Sequence, residues 1–254
     1  MFSKEIYKRI EGRELSLWAL RPAGPPRAAV LMLHGGGWER ESPAILFRHA
    51  EFFAARGYLA LLPEYRLMPR GGDLVCCLQD CADAALYARA AAARYGFAGK
   101  KLAAFGESAG GYLACCLGSA QIASRVCGAA GPLADAVVDI NGIVDLTGRW
   151  GYALGGTQAR GEEAFCALFR RQAEYSPLYN VRAGDAPVYI WHGLADTVVD
   201  PKDSARYAYA LRSRGVDAQC RFLPGKEHAF LLYGYGADEE IAALLQEIAD
   251  RLGP

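Results

Sequence analysis

The sequence has no surplus of charge of either sign, because 28 lysines and arginines stand against 28 aspartates and glutamates. Proteins that bind nucleic acid or anionic membranes through electrostatics carry a basic surplus, so this balance disfavours both partners. No apolar stretch is long enough to cross a bilayer, and the N-terminal segment lacks the apolar core of a signal peptide. We therefore expect a cytoplasmic protein with a neutral small-molecule ligand, provided no leader peptide has been removed.

The sequence also lacks the paired cysteine spacing that is typical of metal-binding sites. The chain has eight cysteines, but no Cys-x-x-Cys half-site with a second half-site to complete it. Neighbours such as Cys115 and Cys116 point in different directions on a helix, so buried thiols in a reducing compartment are the expected state. We expect no metal ion at this protein's functional site.

The order of the apolar segments indicates a single α/β domain. With 254 residues, 52% of them hydrophobic, the chain can bury one large core. An N-terminal hairpin precedes alternating strand and helix patterns, which are typical of a mostly parallel sheet flanked by helices. Strands are predicted at 5–11, 14–21, 28–33, 59–63, 101–106, 137–143, 187–192 and 218–223. Helices are predicted at 44–56, 74–95, 203–214 and 238–252, with one more directly after Ser108.

The segment Gly106-Glu-Ser-Ala-Gly110 links the apolar run 101–106 to a small-residue helical pattern. Glycines on both sides of Ser108 permit a very tight turn with close backbone approach. Such a strand-to-helix turn presents a serine hydroxyl at the N-terminus of a helix, which is the geometry of a nucleophile elbow. Gly-x-Ser-x-Gly also occurs by chance, so the prediction depends on whether the chain supplies a base and oxyanion donors.

Oxyanion donors are predicted in the glycine loop His34-Gly-Gly-Gly-Trp38, which ends the apolar run 28–33. A glycine loop at the C-terminal end of a strand can direct backbone N–H groups into a site. Esterases and lipases combine such a loop with the N–H of the residue after the nucleophile. We assign these donors to Gly36, Gly37 and Ala109, with Trp38 as a further contributor to consider.

Only four histidines are present, so the base can be sought by elimination. His34 begins the glycine loop and is expected to brace it, and His49 lies in a helical pattern. His192 ends a predicted strand and is expected to order the turn that presents Asp196. His228 remains, in a loop after the last predicted strand, and is the candidate general base.

Asp196 is the candidate orienting acid because it lies closest to the end of its strand. Asp200 and Asp203 are nearby competitors for this role. With Asp196 the chain order of the three groups is Ser108, Asp196, His228, which is the order of the Ser-Asp-His template that accompanies a nucleophile elbow.

Together these motifs resemble α/β-hydrolases of the esterase/lipase group, which includes hormone-sensitive-lipase-like carboxylesterases and small carbohydrate esterases. The resemblance implies the α/β-hydrolase fold, Ser108 as nucleophile, His228 as general base and then acid, and no cofactor. Many relatives carry Asp where this chain has Glu64 and Glu107, which weakens the subfamily assignment. The matching motifs are His34-Gly-Gly-Gly-Trp38, Tyr65-Arg-Leu67, Gly106-Glu-Ser-Ala-Gly-Gly111, His192-Gly-Leu-Ala-Asp196 and Glu227-His-Ala-Phe230.

One segment, 147–177, does not fit the alternation of strands and helices. We expect either a small lid over the site or a crossover helix that packs on the sheet, and the sequence does not decide between them. In the lid interpretation Trp150 and Tyr152, with Trp38, shape the acyl or alcohol pocket as substrate-binding residues.

The predicted activity is hydrolysis of small carboxylic esters, with acetyl and other short acyl groups and carbohydrate esters among the candidates. The alternatives are a serine amidase or peptidase-type hydrolase, such as a kynurenine-formamidase-like enzyme, and a non-catalytic small-molecule-binding protein of the same fold. A membrane-acting lipase is disfavoured by the charged residues within 160–171. Both a monomer and a homodimer are compatible with the sequence.

Overall fold

The structure is a computed structural model that describes residues 1–68, 73–147, 150, 154, 170–231 and 238–252. Within these residues eight strands form one sheet in the order β1-β2-β4-β3-β5-β6-β7-β8. The strands are β1 (Ser3–Ile10), β2 (Arg13–Leu20), β3 (Ala29–Leu33), β4 (Leu59–Pro63), β5 (Leu102–Glu107), β6 (Ala136–Ile140), β7 (Val188–Gly193) and β8 (Ala218–Leu223). The first two strands are antiparallel to their neighbours, and β4, β3, β5, β6, β7 and β8 run parallel.

Helices cover both faces of the sheet. Those whose bounds fall within the described residues are α1 (Phe47–Ala55), α2 (Leu74–Ala90), α3 (Ala92–Tyr95), α4 (Ala109–Gly118), α5 (Ala120–Cys127), α6 (Pro201–Ser213) and α7 (Asp238–Leu252). Local sequence explains several of their starts: Asp73 caps α2 by accepting from the Cys76 N–H, and Asp200 caps α6 ahead of Pro201. None of the described helices is long and apolar enough to cross a bilayer.

Two hydrophobic cores lie on the two faces of the sheet. Along β3, Ala29, Leu31 and Leu33 enter one core while Val30 and Met32 enter the other. The same division along the central strands explains why they read as continuous apolar runs, since each residue is buried whichever way it points.

The strand order places a topological switch point between β3 and β5. From β3 the chain passes through α1 to β4 on one side, and then through α2 and α3 to β5 on the other. Open α/β sheets bind ligands in the crevice at the carboxyl ends of such strands. The loop that starts at His34 and the turn that holds Ser108 both lie there.

The structure confirms the predicted fold class and hairpin, but several elements differ from the prediction. Proline at position 43 opens a short 3-10 turn, Pro43–Leu46, so α1 begins three residues later than predicted. The predicted helix 74–95 is broken at Ala91 into α2 and α3. A further helix, α5, was not predicted, and Ser119 caps it. Strand β6 ends at Ile140 because Asn141 has a left-handed φ of 47°.

Candidate active site

Ser108 lies between β5 and α4 in a strained backbone conformation, with φ 58° and ψ −122°. A positive φ is uncommon for a residue with a side chain. The flanking glycines make the turn possible, because a Cβ at Gly106 would lie 2.1 Å from the Gly110 carbonyl oxygen. Helix α4 thereby starts directly above the end of β5, and the serine hydroxyl is directed out of the turn.

His228 contacts both other members of the predicted triad. Its Nε2 lies 2.9 Å from Ser108 Oγ and its Nδ1 lies 2.7 Å from Asp196 Oδ2. An ionised carboxylate can only accept, which assigns the imidazole proton to Nδ1 and leaves Nε2 to accept from the serine hydroxyl. The structure therefore brings the three residues together in the arrangement of a nucleophile, its base and an orienting acid.

The two competing acids, Asp200 and Asp203, bond to groups of helix α6. Asp200 Oδ1 accepts from the Lys202 N–H at the start of α6. Asp203 forms an ion pair with Arg206 on the same helix. Asp196 is therefore the acid that orients His228.

Asp196 is held in its ionised form. Its Oδ1 accepts from the N–H groups of Val198 and Val199, at 2.8 and 2.9 Å. Burial alone would raise the pKa of this carboxyl, but hydrogen bonds from His192 and His228 and from the Val199 N–H outweigh burial and hold that pKa well below its ordinary value. A carboxylate with this pKa keeps the Nδ1–H tautomer of His228 in place.

His192 orders the turn that presents Asp196, as predicted. Its Nε2 lies within 3.2 Å of Asp196 Oδ2 and 3.1 Å of the Val199 carbonyl oxygen, so it donates to this pair of acceptors. Its Nδ1 lies 2.7 Å from Ser204 Oγ, which donates to it from α6. The ring is fully buried.

The glycine loop after β3 has an unusual backbone. Gly36, Gly37 and Trp38 have φ values of 104°, 65° and 62°. Only glycine fits at position 36, because a Cβ there would lie 2.5 Å from the Arg40 carbonyl oxygen. Within the described residues, no backbone carbonyl of a turn or loop accepts a hydrogen bond from the N–H of Gly36, Gly37 or Ala109. The N–H of Ala109 also lies at the positive end of α4.

His34 braces this loop, as predicted. Its ring stacks on Tyr65 with centroids 4.3 Å apart, and its Nδ1 lies 2.8 Å from the Gly35 carbonyl oxygen. The Tyr65 hydroxyl donates to the His34 carbonyl oxygen at 2.8 Å. Burial lowers the pKa of His34 to about 4, so the ring is neutral near pH 7.

The aromatic residues expected to contact substrate differ in position. Trp38 is fully buried, with its indole edge-to-face against Tyr112 and Trp150. It therefore presents no surface to a ligand in this structure and instead supports Trp150, which is partly buried against the core. Tyr152 lies outside the described residues, as does most of the predicted lid, 147–177.

A surface cavity of about 770 Å³ lies beside the glycine loop, at the carboxyl ends of β3 and β4. Its walls include the stacked pair His34 and Tyr65 together with Arg13, Glu41 and Glu64. The cavity walls therefore carry charged groups of both signs, while the two aromatic rings are almost fully buried against each other. No sequence motif predicts this cavity, because its walls come from four separate segments.

Three residues that contact the loops carrying the triad were also not identified from the sequence: Glu107, Asn141 and His49. Asn141 follows a strand as part of an Asn-Gly pair, which is a turn signal that could have been noticed. His49 looked like an ordinary helical residue, but its Nε2 lies 3.2 Å from the Leu231 carbonyl oxygen.

Comparison with known proteins identifies a matching family model and similar solved structures. The model of the family described as BD-FAE matches residues 20–211. Among solved structures, the chain is similar to esterase 2 of the planctomycete Thermogutta terrifontis phosphoramylated by tabun, at 26% identity and a TM-score of 0.83, over 99% of this chain and 95% of that one. The propionate-bound form of that esterase matches at 28% identity and a TM-score of 0.83, over 99% and 94% of the two chains. No protein with curated annotation matches the sequence.

Proposed function

The chain belongs to the BD-FAE family and is a serine carboxylic ester hydrolase of the α/β-hydrolase fold, and from this premise we propose that it cleaves short-chain esters through an acyl-enzyme on Ser108. The observation that carries the proposal is the continuous hydrogen-bonded chain from Ser108 Oγ through His228 to Asp196. A serine hydroxyl bonded to a neutral, correctly oriented imidazole is ready to lose its proton.

In the first step Ser108 Oγ attacks the ester carbonyl carbon while His228 Nε2 takes the hydroxyl proton. Asp196 holds the ring and stabilises the imidazolium that forms. The tetrahedral intermediate collapses when the C–O bond to the alcohol breaks and His228 returns the proton to the leaving oxygen. In the second step His228 activates a water, which releases the carboxylic acid and restores Ser108.

The negative oxygen of each tetrahedral intermediate is assigned to the N–H groups of Gly36, Gly37 and Ala109. The positive φ values of the glycine loop and the helix N-terminus at Ala109 support this assignment. Donors fixed before the reaction need no reorganisation as charge develops, and losing one such donor typically costs about 100-fold to 1000-fold in kcat.

The preference for a short acyl group is supported by the solved relatives. The Thermogutta esterase has been solved with propionate bound and with butyrate bound, and the same protein is phosphorylated by paraoxon. We assign this chain an acyl pocket of similar size, together with reactivity of Ser108 toward paraoxon.

For the alcohol part of the ester we propose a hydroxyl-rich group such as a carbohydrate. The support is the cavity beside the glycine loop, where Arg13, Glu41 and Glu64 contribute charged groups to its walls. A polyhydroxyl ligand matches a wall with both donors and acceptors better than an aliphatic alcohol does.

The test is hydrolysis of p-nitrophenyl esters from acetate to octanoate, beside an acetylated xylo-oligosaccharide, by wild type and Ser108→Ala. We expect serine-dependent turnover that falls with acyl length beyond butyrate, and acetate release from the oligosaccharide. Ester hydrolysis that survives Ser108→Ala would contradict the proposal. A formanilide in the same panel tests the amidase alternative, which would be favoured by faster cleavage of that amide than of any ester.

A further inference from the structure

Asn141 joins two strand ends that carry different members of the triad. It follows β6 and is fully buried. Its N–H donates to the Trp191 carbonyl oxygen and its Oδ1 accepts from the Gly193 N–H, both at 3.0 Å. Gly193 ends β7 and begins the turn that leads to Asp196. Asn141 therefore holds the start of that turn with two hydrogen bonds.

The other end of the Asn141 side chain reaches the nucleophile strand. Its Nδ2 lies 3.4 Å from Glu107 Oε1, and Glu107 is the buried residue directly before Ser108. The N–H of Ser108 itself donates to the Ile140 carbonyl oxygen at 2.8 Å. The end of β6 is therefore bonded to the nucleophile elbow on one side and to the acid turn on the other.

Glu107 extends the same connection to the histidine loop. Its Oε1 also accepts from the N–H of Leu231, three residues after His228, at 3.2 Å. The carbonyl of that residue faces His49 Nε2, which donates to it from α1 because a carbonyl oxygen can only accept. The backbone of Leu231 is thus held at its N–H by Glu107 and at its carbonyl oxygen by His49.

We propose that Asn141 is a positioning residue for acyl transfer: by bonding Glu107 and Gly193 at once, it sets the relative positions of the Ser108, Asp196 and His228 turns. Asn141 does not touch the reacting atoms, and it acts by holding three separate loops at hydrogen-bonding distance from one another. The inference rests on the proposed function, because it assigns the triad its catalytic role.

The chemistry of the asparagine side chain suits this position. An amide offers an acceptor to the Gly193 N–H and a donor to the Glu107 carboxylate, and no other side chain of this length does both. Asparagine also tolerates the left-handed φ of 47° that ends β6. The residue therefore combines a backbone requirement with a two-way side-chain link.

The decisive variant is Asn141→Asp, measured as kcat and KM on p-nitrophenyl acetate. Aspartate keeps the acceptor for the Gly193 N–H and tolerates the same backbone, but it places a carboxylate oxygen against Glu107. We expect kcat to fall on the order of 100-fold, the cost of a misplacement near 1 Å, with KM changed much less. The matched control is Asn180→Asp, another buried asparagine, whose Nδ2 donates to the carbonyl oxygens of Ala173 and Ser176 away from the triad; it should keep the wild-type kcat.

The double variant Glu107→Gln/Asn141→Asp restores a donor and acceptor pair with its direction reversed. In it the glutamine NH₂ takes the place of Glu107 Oε1 and donates to Asp at position 141, while the bond from the Leu231 N–H, which ends at that same oxygen, is given up. We expect its kcat to exceed the product of the two single effects by at least about tenfold, which is the signature of direct coupling. A purely structural role would not produce this recovery.

Two results overturn the inference: an Asn141→Asp enzyme with kcat within twofold of wild type, or a double variant no better than the product of the single variants. If Asn141→Asp does not fold, Asn141→Gly replaces it, because glycine tolerates the backbone and removes both side-chain bonds; an unchanged kcat in that variant is equally contradictory. If Ser108→Ala retains ester hydrolysis, the proposed function itself fails. Loss of activity in Ser108→Ala with a normal Asn141→Asp overturns the positioning role alone.

Discussion

A Cβ atom at Gly110 would lie 2.0 Å from the carbonyl oxygen of Leu33, so helix α4 packs against the end of β3 without room for any side chain. This contact joins the start of the helix behind Ser108 to the strand that leads into the glycine loop. The two halves of the proposed site, nucleophile and oxyanion donors, are thereby fixed against each other by backbone packing.

Gly110→Ala is expected to destabilise the protein by at least about 2 kcal/mol, because the backbone must move to relieve the overlap. Urea unfolding at pH 7 measures the change. Gly131→Ala is the control, since Gly131 has open space around it and no positive φ. Equal stability of the two variants would show that α4 can shift without cost.

Asp196→Asn should lower kcat by about 10⁴-fold. The N–H groups of Val198 and Val199 keep an oxygen at the Oδ1 position, so the new amide NH₂ must face His228. That NH₂ donates to Nδ1 and forces the proton onto Nε2, where it blocks acceptance from Ser108. Steady-state kinetics with p-nitrophenyl acetate measure the loss, and Asp200→Asn, which keeps the cap of α6, should behave as wild type.

His49 should make the protein less stable as the pH falls. Burial lowers its pKa from 6.5 to about 4 in the folded chain, so between these values the unfolded chain binds a proton that the folded chain does not. Stability conferred by the neutral ring is therefore present above pH 6.5 and is lost toward pH 4, by about 2 kcal/mol between pH 6.5 and 5.

Urea unfolding of wild type and His49→Gln at pH 7.5 and pH 5 isolates this effect. Glutamine can still donate to the Leu231 carbonyl oxygen but does not titrate. The stability difference between the two pH values should be smaller in the variant by about 2 kcal/mol. The same dependence in both proteins would assign acid sensitivity to other groups.

Asp139 should change the stability of the protein with pH in the direction opposite to His49. Its carboxyl group is fully buried against Gly111 and Gly142, and the Cys115 thiol and the Gly142 N–H face it. Burial raises its pKa from 3.8 to about 6. The folded chain therefore keeps this proton where the unfolded chain has lost it, and stability falls as the pH rises from 4 to 6.

Asp139→Asn removes this ionisation. Relative to wild type, the variant should gain about 2 kcal/mol between pH 4.5 and pH 7.5. Comparing the two pH values cancels any packing cost of the amide. A constant difference between the proteins across this range would mean that Asp139 is already ionised at pH 4.5.

Much of the site could be predicted because its residues are tied to local backbone patterns. Ser108 lies between glycines that the turn requires, and His34 starts a glycine loop at a strand end. The acid and base could be found because Asp196 and His228 follow predicted strands, and the parallel arrangement brings strand ends to one edge of the sheet.

Contacts between residues that are far apart along the chain could not be predicted from the sequence. The bond from Asn141 to Glu107 spans two strands, and His49 meets Leu231 across 182 positions. No local sequence pattern predicts either contact. The cavity beside Tyr65 is formed in the same way, by segments that meet only after folding. Trp38 was placed in the pocket from its position in the loop, but its left-handed φ of 62° turns the chain so that the indole enters the core.

The central claim, an acyl-enzyme on Ser108, is tested most directly by rapid acid quench of the enzyme with p-nitrophenyl butyrate, followed by mass spectrometry. The account predicts a mass increase of one butyryl group per chain, located on the peptide that contains Ser108 and absent from Ser108→Ala. Turnover without an acylated intermediate, or an acyl group on another residue, would contradict it.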